Sequence, residues 1–372
     1  LTMNEIELLH QLVAIPSLSG AEHKAAEFLA TAMTSLGLSS SIDEVGNAVG
    51  IRECPNEYGQ ISMEIVLLGH MDTVPGDIPV RIEEGILYGR GAVDAKGPLA
   101  AFIVAASRAN LPPGTRVVVV GAVEEESATS NGARHVAARY QPDLCIIGEP
   151  SGWDGVTLGY KGRILMDYEL RQPMGHSAGK ERGVAETAVA WWNELSAIIE
   201  IFNQDKDKIF DQLLPSLRHI QTDSDGLNNQ ALIKVGIRLP PDFDIDTFTK
   251  QAVELADDAS LKVYAFEPAF HSSRLSLLAR AFNQALRQAS VRPRFKLKTG
   301  TSDMNVVGPI WNCPIVAYGP GDSGLDHTPN EHIVLTEYVK AIEILQAVLA
   351  NKLFTGDLEK QQNNLQGEME WV

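Results

Sequence analysis

The sequence predicts an α/β protein with a mostly parallel sheet flanked by helices, interrupted by an inserted ferredoxin-like α+β domain. Three observations support this prediction. The chain has 372 residues, more than a single hydrophobic core usually serves. In its first part, short apolar runs alternate with helical patterns, as in a parallel sheet covered by helices. From about residue 159 the order becomes strand, helix, two strands, helix and strand, which is typical of a ferredoxin-like domain.

The first domain is predicted from its elements in chain order. Residues 3–36 have apolar positions at helical spacing, with a loop at 16–20 between two helices. The next predicted elements are a strand at 61–69, a loop opening at Asp94, a helix at 99–109, a strand at 116–123, a helix at 132–140 and a strand at 143–148. Later in the chain, residues 275–290 are predicted to be helical and 299–327 loop-rich. We therefore predict a catalytic domain formed by residues 1–158 and 273–354.

The inserted domain, predicted to be a lid and dimerisation domain, covers residues 159–272. Its predicted elements are a strand at 164–170, a helix at 183–202, strands at 216–222 and 230–239, a helix at 244–258 and a strand at 261–266. Residues 355–372 are polar and acidic with little periodicity. They are predicted to form a flexible tail.

Composition and charge exclude several classes of protein. No apolar stretch approaches the roughly 20 residues of a membrane span, and a net charge of −17 disfavours binding to phosphate-rich surfaces. We therefore predict neither a membrane nor a nucleic-acid partner. No signal-peptide pattern opens the sequence, which predicts a cytoplasmic location. The three cysteines are widely spaced without a Cys-x-x-Cys pair, so they are predicted to be free thiols.

Candidate metal ligands stand where an α/β sheet would present them. Five side chains each come just past an apolar or glycine-rich run: His70, Asp94, Glu126, Glu149 and His327. Runs such as IVLLG and LCIIG are typical of buried strands. The ligand crevice of an open α/β sheet lies outside the carboxyl ends of its strands, so residues distant in sequence converge there. Two imidazoles and several carboxylates at one edge predict a metal site.

Two aspartates near these ligands each have two interpretations. Asp72 lies on the same side of an extended segment as His70, where it would bind the second imidazole nitrogen and fix the tautomer. Alternatively, Asp72 caps the amides of a turn. Asp94 lies between glycines, and its two oxygens would bridge two cations about 3.5–4 Å apart. Alternatively, Asp94 caps the helix that follows.

Three consecutive glutamates, Glu124, Glu125 and Glu126, follow the apolar run RVVVVGAV. Adjacent carboxylates at the end of a buried strand repel one another unless cations compensate them. One glutamate would bind metal while its neighbour takes the proton from an attacking water. The residues themselves leave open which glutamate has which role.

These motifs together resemble the dinuclear-zinc aminoacylase and carboxypeptidase family, which includes acetylornithine deacetylase and succinyl-diaminopimelate desuccinylase. The resemblance covers nearly the whole chain short of the tail, through the motifs GHMDTVPG (69–76), GRGAVDAKG (89–97), VEEES (123–127), GEPS (148–151), GHSAG (175–179) and GPGDSGLDHTPNEH (319–332). It implies two zinc ions per subunit, replaceable by cobalt. One ion is held by His70, Asp94 and Glu149, and the other by Asp94, Glu126 and His327. It also implies that Asp72 orients His70 and that Glu125 is the general base and acid.

The resemblance also implies residues that act on the substrate. His176 corresponds to a histidine that crosses a homodimer interface and stabilises the tetrahedral intermediate in the neighbouring active site. Arg238 corresponds to an arginine that holds the substrate carboxylate. Asn228, Thr301 and Ser302 are further candidates for substrate contacts.

Within the family, the segments GEPSGWDGVTLGYKGR and KTGTSDMN are similar to a branch of hydrolases that release lysine, sometimes ornithine, from an acidic amino-group carrier protein. The substrate implied is an amide of a basic amino acid, free or attached to such a carrier. Alternatives are an acetylornithine or acetyl-lysine deacetylase, a succinyl-diaminopimelate desuccinylase, a dipeptidase, or a non-catalytic metal-binding homologue. Because chain and carrier are both acidic, docking needs a local basic patch. Two candidate patches are Lys161 with Arg163, and the alternating set Arg292, Arg294, Lys296 and Lys298.

Overall fold

The computed structural model describes residues 3–176 and 182–354, so the predicted tail and part of the GHSAG motif lie outside the described residues. The chain divides into two compact units. Within the described residues, the first unit comprises 3–159, 271–297 and 302–354, and the second comprises 160–176, 182–270 and 298–301. Residues 298–301, which the sequence interpretation placed in the first domain, belong to the second unit.

The helices and strands include those that the hydrophobic patterns predict, in the predicted order. The helices are α1 (Glu5–Val13), α2 (His23–Ser35), α3 (Lys96–Arg108), α4 (Asn131–Arg139), α5 (Val184–Asn203), α6 (Ile245–Ala256), α7 (Leu277–Gln288), α8 (Asp303–Trp311) and α9 (Leu335–Leu349). The strands are β1 (Ser39–Ile42), β2 (Ala48–Cys54), β3 (Met63–His70), β4 (Arg81–Glu83), β5 (Ile86–Tyr88), β6 (Thr115–Ala122), β7 (Leu144–Gly148), β8 (Gly155–Tyr160), β9 (Gly162–Pro173), β10 (Leu214–Ser224), β11 (Asn228–Leu239), β12 (Ser260–Glu267), β13 (Phe270–His271), β14 (Arg294–Lys298), β15 (Ile315–Ala317) and β16 (His332–Val334).

The main sheet has a parallel centre and antiparallel margins. Its strand order is β1-β2-β6-β3-β7-β15-β8-β13, with β14 paired to β8. Strands β6, β3, β7 and β15 run parallel, and β1, β2 and β8 join antiparallel. In the register of the centre, His70 pairs with Ala122 and Gly69 pairs with Gly148. The carboxyl ends of three parallel strands therefore meet at one edge, as predicted from the apolar runs.

Helix α3 packs directly on this edge because glycines there leave room for it. Residues 96–106 of the helix are all buried. A Cβ atom on Gly148 would lie 2.9 Å from Phe102 Cε2, and one on Gly69 would lie 3.3 Å from Leu99 Cβ. Such contacts are too close for a larger residue at Gly148. The close approach fixes the start of α3, and hence Asp94 just before it, against the strand ends.

Several elements of the first unit did not follow from the sequence, among them β1, β2 and α8. The edge pair β1 and β2 was not predicted, because β1 reads SSSI and is largely exposed, without an apolar face. Helix α8 lies in the segment predicted to be loop-rich. It contains Gly308 and Pro309, which are helix breakers, but its first turn is closed by a capping box between Ser302 and Asn305.

The second unit has the predicted βαββαβ order. Its sheet is antiparallel with strand order β10-β11-β9-β12, and α5 and α6 pack on one face. Inward-facing residues alternate along β9 and β11, including Ile164, Met166 and Tyr168 on one strand and Val235 and Ile237 on the other. This alternation is the two-residue period of strands that have one buried face.

Candidate metal centre

The predicted ligands are presented by strand ends and by the loops that follow them. His70 is the last residue of β3, and Glu149 comes directly after β7. Glu126 lies in the loop after β6, Asp94 lies two residues before α3, and His327 lies between β15 and β16. All five belong to the first unit.

Asp94 lies between the two histidines and faces each with a different oxygen. Its Oδ1 atom is 3.2 Å from Nε2 of His70, and its Oδ2 atom is 3.0 Å from Nε2 of His327. The helix-cap interpretation of Asp94 is not supported, because the N-cap of α3 is Ala95. A carboxylate with one oxygen toward each of two imidazoles has the arrangement required to bridge two metal ions.

The other carboxylates complete two groups around Asp94. Nε2 of His327 is 2.9 Å from Oε1 of Glu126, and Nε2 of His70 is 3.9 Å from Oε1 of Glu149 and from Oε2 of Glu125. One candidate ligand atom from each of His70, Asp94 and Glu149 lies within 4.8 Å of the other two. The same is true of Asp94, Glu126 and His327, and of His70, Glu125 and Glu126. The cluster therefore offers candidate ligands for metal ions in overlapping groups, two of which share Asp94.

Asp72 is fully buried and binds more groups than the sequence suggested. Its Oδ1 atom is 3.4 Å from Nδ1 of His70, so it lies beside the imidazole as expected. The carboxylate also accepts hydrogen bonds from the backbone amides of Glu125 at 3.1 Å and Glu126 at 3.0 Å, and from Oγ of Ser19 at 2.7 Å. Asp72 therefore lies beside His70, and the amides that it accepts from belong to the loop after β6 rather than to its own turn, where the amide of Thr73 donates to the carbonyl of Ser17.

The three consecutive glutamates separate into different surroundings. Glu124 adopts a left-handed backbone with φ +60°, and its Oε2 atom accepts a hydrogen bond from Oγ1 of Thr129 at 2.5 Å. Its carboxylate is thereby occupied outside the cluster, whereas Glu125 and Glu126 approach the histidines. The turn at Glu124 aims two adjacent carboxylates at one cluster.

The pKa values of the side chains in this cluster are shifted by burial and by neighbouring charges. Burial lowers the pKa of His70, but the carboxylates, Glu125 foremost, outweigh it and raise the pKa well above the ordinary value. Burial raises the pKa of Asp94, but the hydrogen bonds from His327 and His70 outweigh it, so the pKa is lowered. Burial and nearby carboxylates raise the pKa of Glu125 well above its ordinary range. Hydrogen bonds to Asp94 and Glu126 raise the pKa of His327 to about 10.

The donor set fits divalent metal ions. Four carboxylates share the cluster, and Asp94, Glu126 and Glu149 are each about one-tenth exposed at the side chain or less. Two histidines provide the nearest positive charge only when they are protonated. Burying several carboxylates together is unfavourable unless cations compensate them. Imidazole and carboxylate are the ligand types of Zn²⁺ and related ions, which would supply that compensation.

Glu331 supports Asp94, and the sequence analysis did not single it out. Its carboxylate is 1% exposed and accepts hydrogen bonds from the amides of Val93 at 3.0 Å and Asp94 at 3.1 Å. It also forms a 2.8 Å ion pair with Nη1 of Arg90. The available signal was the position of Glu331 four residues after His327 in the motif GPGDSGLDHTPNEH. The carboxylate of Glu331 thus fixes the backbone at Val93 and Asp94.

Replacement of Glu331 by glutamine should destabilise the protein and weaken metal binding. Glutamine keeps an oxygen acceptor but leaves the largely buried Arg90 guanidinium without its carboxylate, which costs roughly 3 kcal/mol. We expect this loss in the free energy of unfolding by urea, and roughly tenfold weaker metal affinity in competition with a chelator. The matched control is Glu343→Gln on the exposed face of α9, which should change neither quantity. Equal behaviour of the two variants would show that Glu331 does not support the centre.

Two predicted substrate residues come together in the second unit. Arg238 lies near the end of β11, and its Nη1 atom donates a hydrogen bond to Oγ1 of Thr301. Asn228 lies at the other end of the same strand, in the turn after β10, where its amide nitrogens bind the carboxylate of Asp225. Arg238 and Thr301 are therefore in contact within one chain, whereas Asn228 lies at the opposite end of β11.

The remaining predicted substrate residues have different surroundings. Ser302 is buried at the N-terminus of α8 and accepts a hydrogen bond from the amide of Met304 at 3.3 Å, so its hydroxyl has a capping role. His176 lies exposed in the second unit, after β9. The rest of its motif, residues 177–179, lies outside the described residues.

The strand ends and the cluster of histidines and carboxylates that lies at them are typical of a metal-dependent hydrolase of the α/β class. A profile of the family "Peptidase family M20/M25/M40" matches residues 66–351, and the chain belongs to this family. It is accordingly a metal-dependent hydrolase that acts on amide bonds.

Named relatives are similar over nearly their whole length. A LysW-lysine hydrolase of Deinococcus radiodurans is 43% identical over 354 residues, which is 92% of this chain and 95% of the relative. A putative LysW-lysine/LysW-ornithine hydrolase of Thermococcus kodakarensis is 40% identical over 346 residues, with 93% and 91% covered. The resemblance noted in the sequence is confirmed.

Solved structures share the fold at much lower identity. A metallo-carboxypeptidase of the M20 family from Sulfolobus solfataricus superposes with a TM-score of 0.75 at 19% identity, covering 94% of this chain and 99% of that one. A dinuclear metal-binding peptidase of the same family from Bacillus subtilis gives 0.68 at 12% identity, covering 93% and 96%. These structures confirm the predicted α/β fold with its mostly parallel sheet. Among the described residues, every helix is too short or too polar to span a bilayer.

Proposed function

We propose that the protein hydrolyses the amide that joins lysine, or ornithine, to an amino-group carrier protein. The main support for amide hydrolysis is the position of Asp94, whose carboxylate has one oxygen toward His70 and the other toward His327. The substrate part is supported by the relatives, whose names describe hydrolases of LysW-linked lysine and ornithine and which align over at least nine-tenths of this chain.

The proposed cofactor is a pair of Zn²⁺ ions, for which Co²⁺ can substitute. One ion is assigned to His70, Asp94 and Glu149, and the other to Asp94, Glu126 and His327. Support comes from the two ligand groups that share Asp94 and from the nitrogen and oxygen donors, which suit zinc. When bound, the pair polarises the substrate carbonyl and makes a water acidic enough to be deprotonated near neutral pH.

Glu125 is the proposed general base and acid. Its carboxylate takes a proton from the water that attacks the amide carbon, and it returns a proton to the amine as the C–N bond breaks. This assignment is supported by position, because Oε1 of Glu126 lies 2.9 Å from Nε2 of His327 whereas Oε2 of Glu125 lies 3.9 Å from Nε2 of His70. Asp72 holds both glutamates through their amides, so base and ligand are oriented together.

Arg238 is proposed to hold the carboxylate of the amino acid that is released. A guanidinium binds a carboxylate through two parallel hydrogen bonds, which also fixes its orientation. The hydrogen bond to Thr301 holds the guanidinium in place from within the second unit. Thr301, Ser302 and Asn228 remain proposed substrate contacts, with Ser302 also serving as a helix cap.

A homodimer is proposed, with His176 of one subunit acting in the active site of the other. The edge strand β10 supports this assembly because it runs for 11 residues, nearly all exposed, and carries the apolar side chains of Leu217 and Ile220. An exposed edge with unpaired backbone groups and apolar side chains is suited to pairing with another copy. His176 would then donate to the oxyanion of the tetrahedral intermediate.

Mixing two inactive variants should restore activity if His176 acts across the dimer. His176→Ala and Glu125→Gln chains are each expected to be inactive alone. In a mixed dimer, the site on the His176→Ala chain keeps its own Glu125 and receives the intact histidine of its partner. Refolding the two together in equal amounts should give about a quarter of wild-type turnover. No recovery in mixtures shown by mass to contain hybrid dimers would contradict the assignment.

Docking of an acidic carrier requires exposed positive charge, and the two candidate patches differ in this respect. Lys161 is fully buried and donates to the carbonyl oxygens of Phe210 and Gln212, so the first patch is wrong as a docking surface. In the second patch, Arg292 and Arg294 are exposed, although Arg294 pairs with Asp154. We propose that Arg292 and Arg294 contribute to carrier binding through long-range attraction.

The proposed location is the cytoplasm. Cys54, Cys145 and Cys313 are all free thiols in the structure, and Cys145 is buried in β7. Free thiols are typical of a reducing compartment. The small-molecule or carrier-linked substrate proposed here is consistent with that compartment.

The deciding experiment compares substrates with one zinc-loaded preparation. Amino-acid release is measured from carrier-linked lysine and carrier-linked ornithine, beside Nα-acetylornithine and N-succinyl-diaminopimelate, each with and without a chelator. Chelator-sensitive release from a carrier conjugate at a kcat/KM at least about tenfold above the small amides is expected. Preference for a small acyl substrate would replace the carrier assignment and keep the mechanism. Absence of chelator-sensitive turnover of every substrate would favour the non-catalytic alternative.

A further inference from the structure

The loop that carries the three glutamates is held at four successive backbone amides by side chains from elsewhere in the first unit. The acceptors, in order of the donating residue, are Asn47 Oδ1 for Val123 at 3.0 Å, Glu22 Oε1 for Glu124 at 3.1 Å, Asp72 Oδ1 for Glu125 at 3.1 Å and Asp72 Oδ2 for Glu126 at 3.0 Å. A strand that ended in an ordinary solvated loop would satisfy these amides with water. Here the loop is fixed residue by residue.

We propose that Glu22 is a positioning residue for the general base Glu125, acting through the backbone of Glu124. This inference rests on the proposed function. Glu22 is 5% exposed, and its Oε1 atom accepts hydrogen bonds from the amides of Glu124 and, at 2.9 Å, Gly20. Its carboxylate therefore reaches the loop one residue before the base and touches the backbone rather than the reacting atoms.

The conformation of Glu124 explains why such support is required. A φ of +60° is an unfavourable backbone conformation for a residue that has a Cβ atom, and it persists only where neighbouring structure holds it. This turn is what directs the next two carboxylates toward His70 and His327. The hydrogen bond that the amide of Glu124 donates to the buried carboxylate of Glu22 stabilises the turn. Without it, the base would lose its fixed distance to the attacking water.

The segment that contains Glu22 is itself hydrogen-bonded to residues 71–73, which directly follow His70 at the end of β3. Oγ of Ser17 donates to the carbonyl of Met71 at 2.6 Å, the amide of Thr73 donates to the carbonyl of Ser17 at 2.9 Å, and Oγ of Ser19 donates to Asp72 at 2.7 Å. The loop between α1 and α2 thus contacts both sides of Asp72. These contacts fix the position of Glu22 relative to Asp72. Glu22 accepts from the amide of Glu124, and Asp72 accepts from the amides of Glu125 and Glu126.

Three substitutions separate positioning from charge and from folding. Glu22→Gln keeps an oxygen in place for the amide of Glu124, Glu22→Asp withdraws the carboxylate by one methylene, and Glu22→Ala removes it. We expect Glu22→Gln to retain kcat within about threefold, and Glu22→Asp and Glu22→Ala to lower kcat by about ten- to a hundredfold, with KM and bound metal nearly unchanged. Glu27→Gln, an exposed glutamate on α2, is the matched control and should behave as wild type.

A second measurement does not depend on any substrate. Amide hydrogen exchange of the peptide covering residues 123–127 in the metal-free protein should be at least about tenfold faster in Glu22→Asp and Glu22→Ala than in wild type or Glu22→Gln. If wild type turns over none of the proposed substrates but exchange follows this order, the proposed function fails and the positioning role stands. Unchanged exchange in Glu22→Asp, equal loss of kcat in Glu22→Gln, or metal loss in step with kcat would each overturn the role. If Glu22→Ala does not fold, the glutamine and aspartate variants decide alone.

Discussion

Glu125→Gln is expected to lower kcat by about a thousandfold while the purified protein keeps its full metal content. Glutamine has nearly the same volume and still accepts hydrogen bonds, but it cannot take a proton from the attacking water or return one to the departing amine. General acid–base catalysis contributes roughly a hundred- to ten-thousandfold to such reactions. The measurements are steady-state kinetics on the best substrate and metal analysis of the same sample.

The matched control for this prediction is Glu124→Gln, one residue earlier in the same run of three glutamates. The carboxylate of Glu124 binds Thr129 and lies outside the ligand groups, so its loss should lower kcat by less than about threefold. The reverse result, with an inactive Glu124→Gln and an active Glu125→Gln, would show that the roles are shifted by one residue. Loss of metal from Glu125→Gln would instead make Glu125 a ligand.

The run of glutamates also shows what sequence could and could not predict. Its place after an apolar strand was enough to put carboxylates at the edge of the sheet, because parallel strands end on the same side. Which glutamate faces the histidines depends on the left-handed turn at Glu124. That turn is set by Glu22 and Asp72, which are respectively 102 and 53 residues away in sequence from the amides they accept. No local pattern in VEEES contains this information.

The same distinction applies to the fold. Apolar runs with strong periodicity, such as those of β3, β6 and α5, were located correctly to within a few residues. Strand β1 and helix α8 were not, because one is polar and largely exposed and the other contains Gly308 and Pro309. Both are stabilised by contacts outside their own sequence, β1 by pairing with β2 and α8 by packing against α4, which adds to the local cap at Ser302.

The burial of a charged side chain was also not always predictable from the sequence. Lys161 was expected to be a candidate for docking, yet it is fully buried and donates to backbone carbonyl oxygens of the segment 209–212. Desolvation there lowers its pKa to about 8. A lysine in a loop sequence such as GYKGR gives no sign of burial, because the carbonyls that receive it come from about 50 residues later in the chain.

Asp94→Ala is expected to remove both metal ions, whereas His327→Ala removes one. The reason is geometric, because Oδ1 of Asp94 faces His70 and Oδ2 faces His327, so each ligand group contains this carboxylate. His327 belongs to only one of the two groups that share Asp94. Isothermal titration of the metal-free proteins with Zn²⁺ should give two tight sites in wild type, one in His327→Ala, and affinities weakened by at least about a hundredfold at both sites in Asp94→Ala.

Thermal unfolding provides an independent measure of the same prediction. A ligand that binds only the folded state stabilises it by about 4 kcal/mol when its concentration is a thousand times its dissociation constant. Adding Zn²⁺ should therefore raise the Tm of wild type by several degrees, raise that of His327→Ala by less, and leave that of Asp94→Ala nearly unchanged. A variant without Asp94 that still bound one ion tightly would show that the two groups are separate mononuclear sites. In that case Asp94 would not be shared by the two ligand groups. The attacking water would then have to be activated by the metal ion of one group alone.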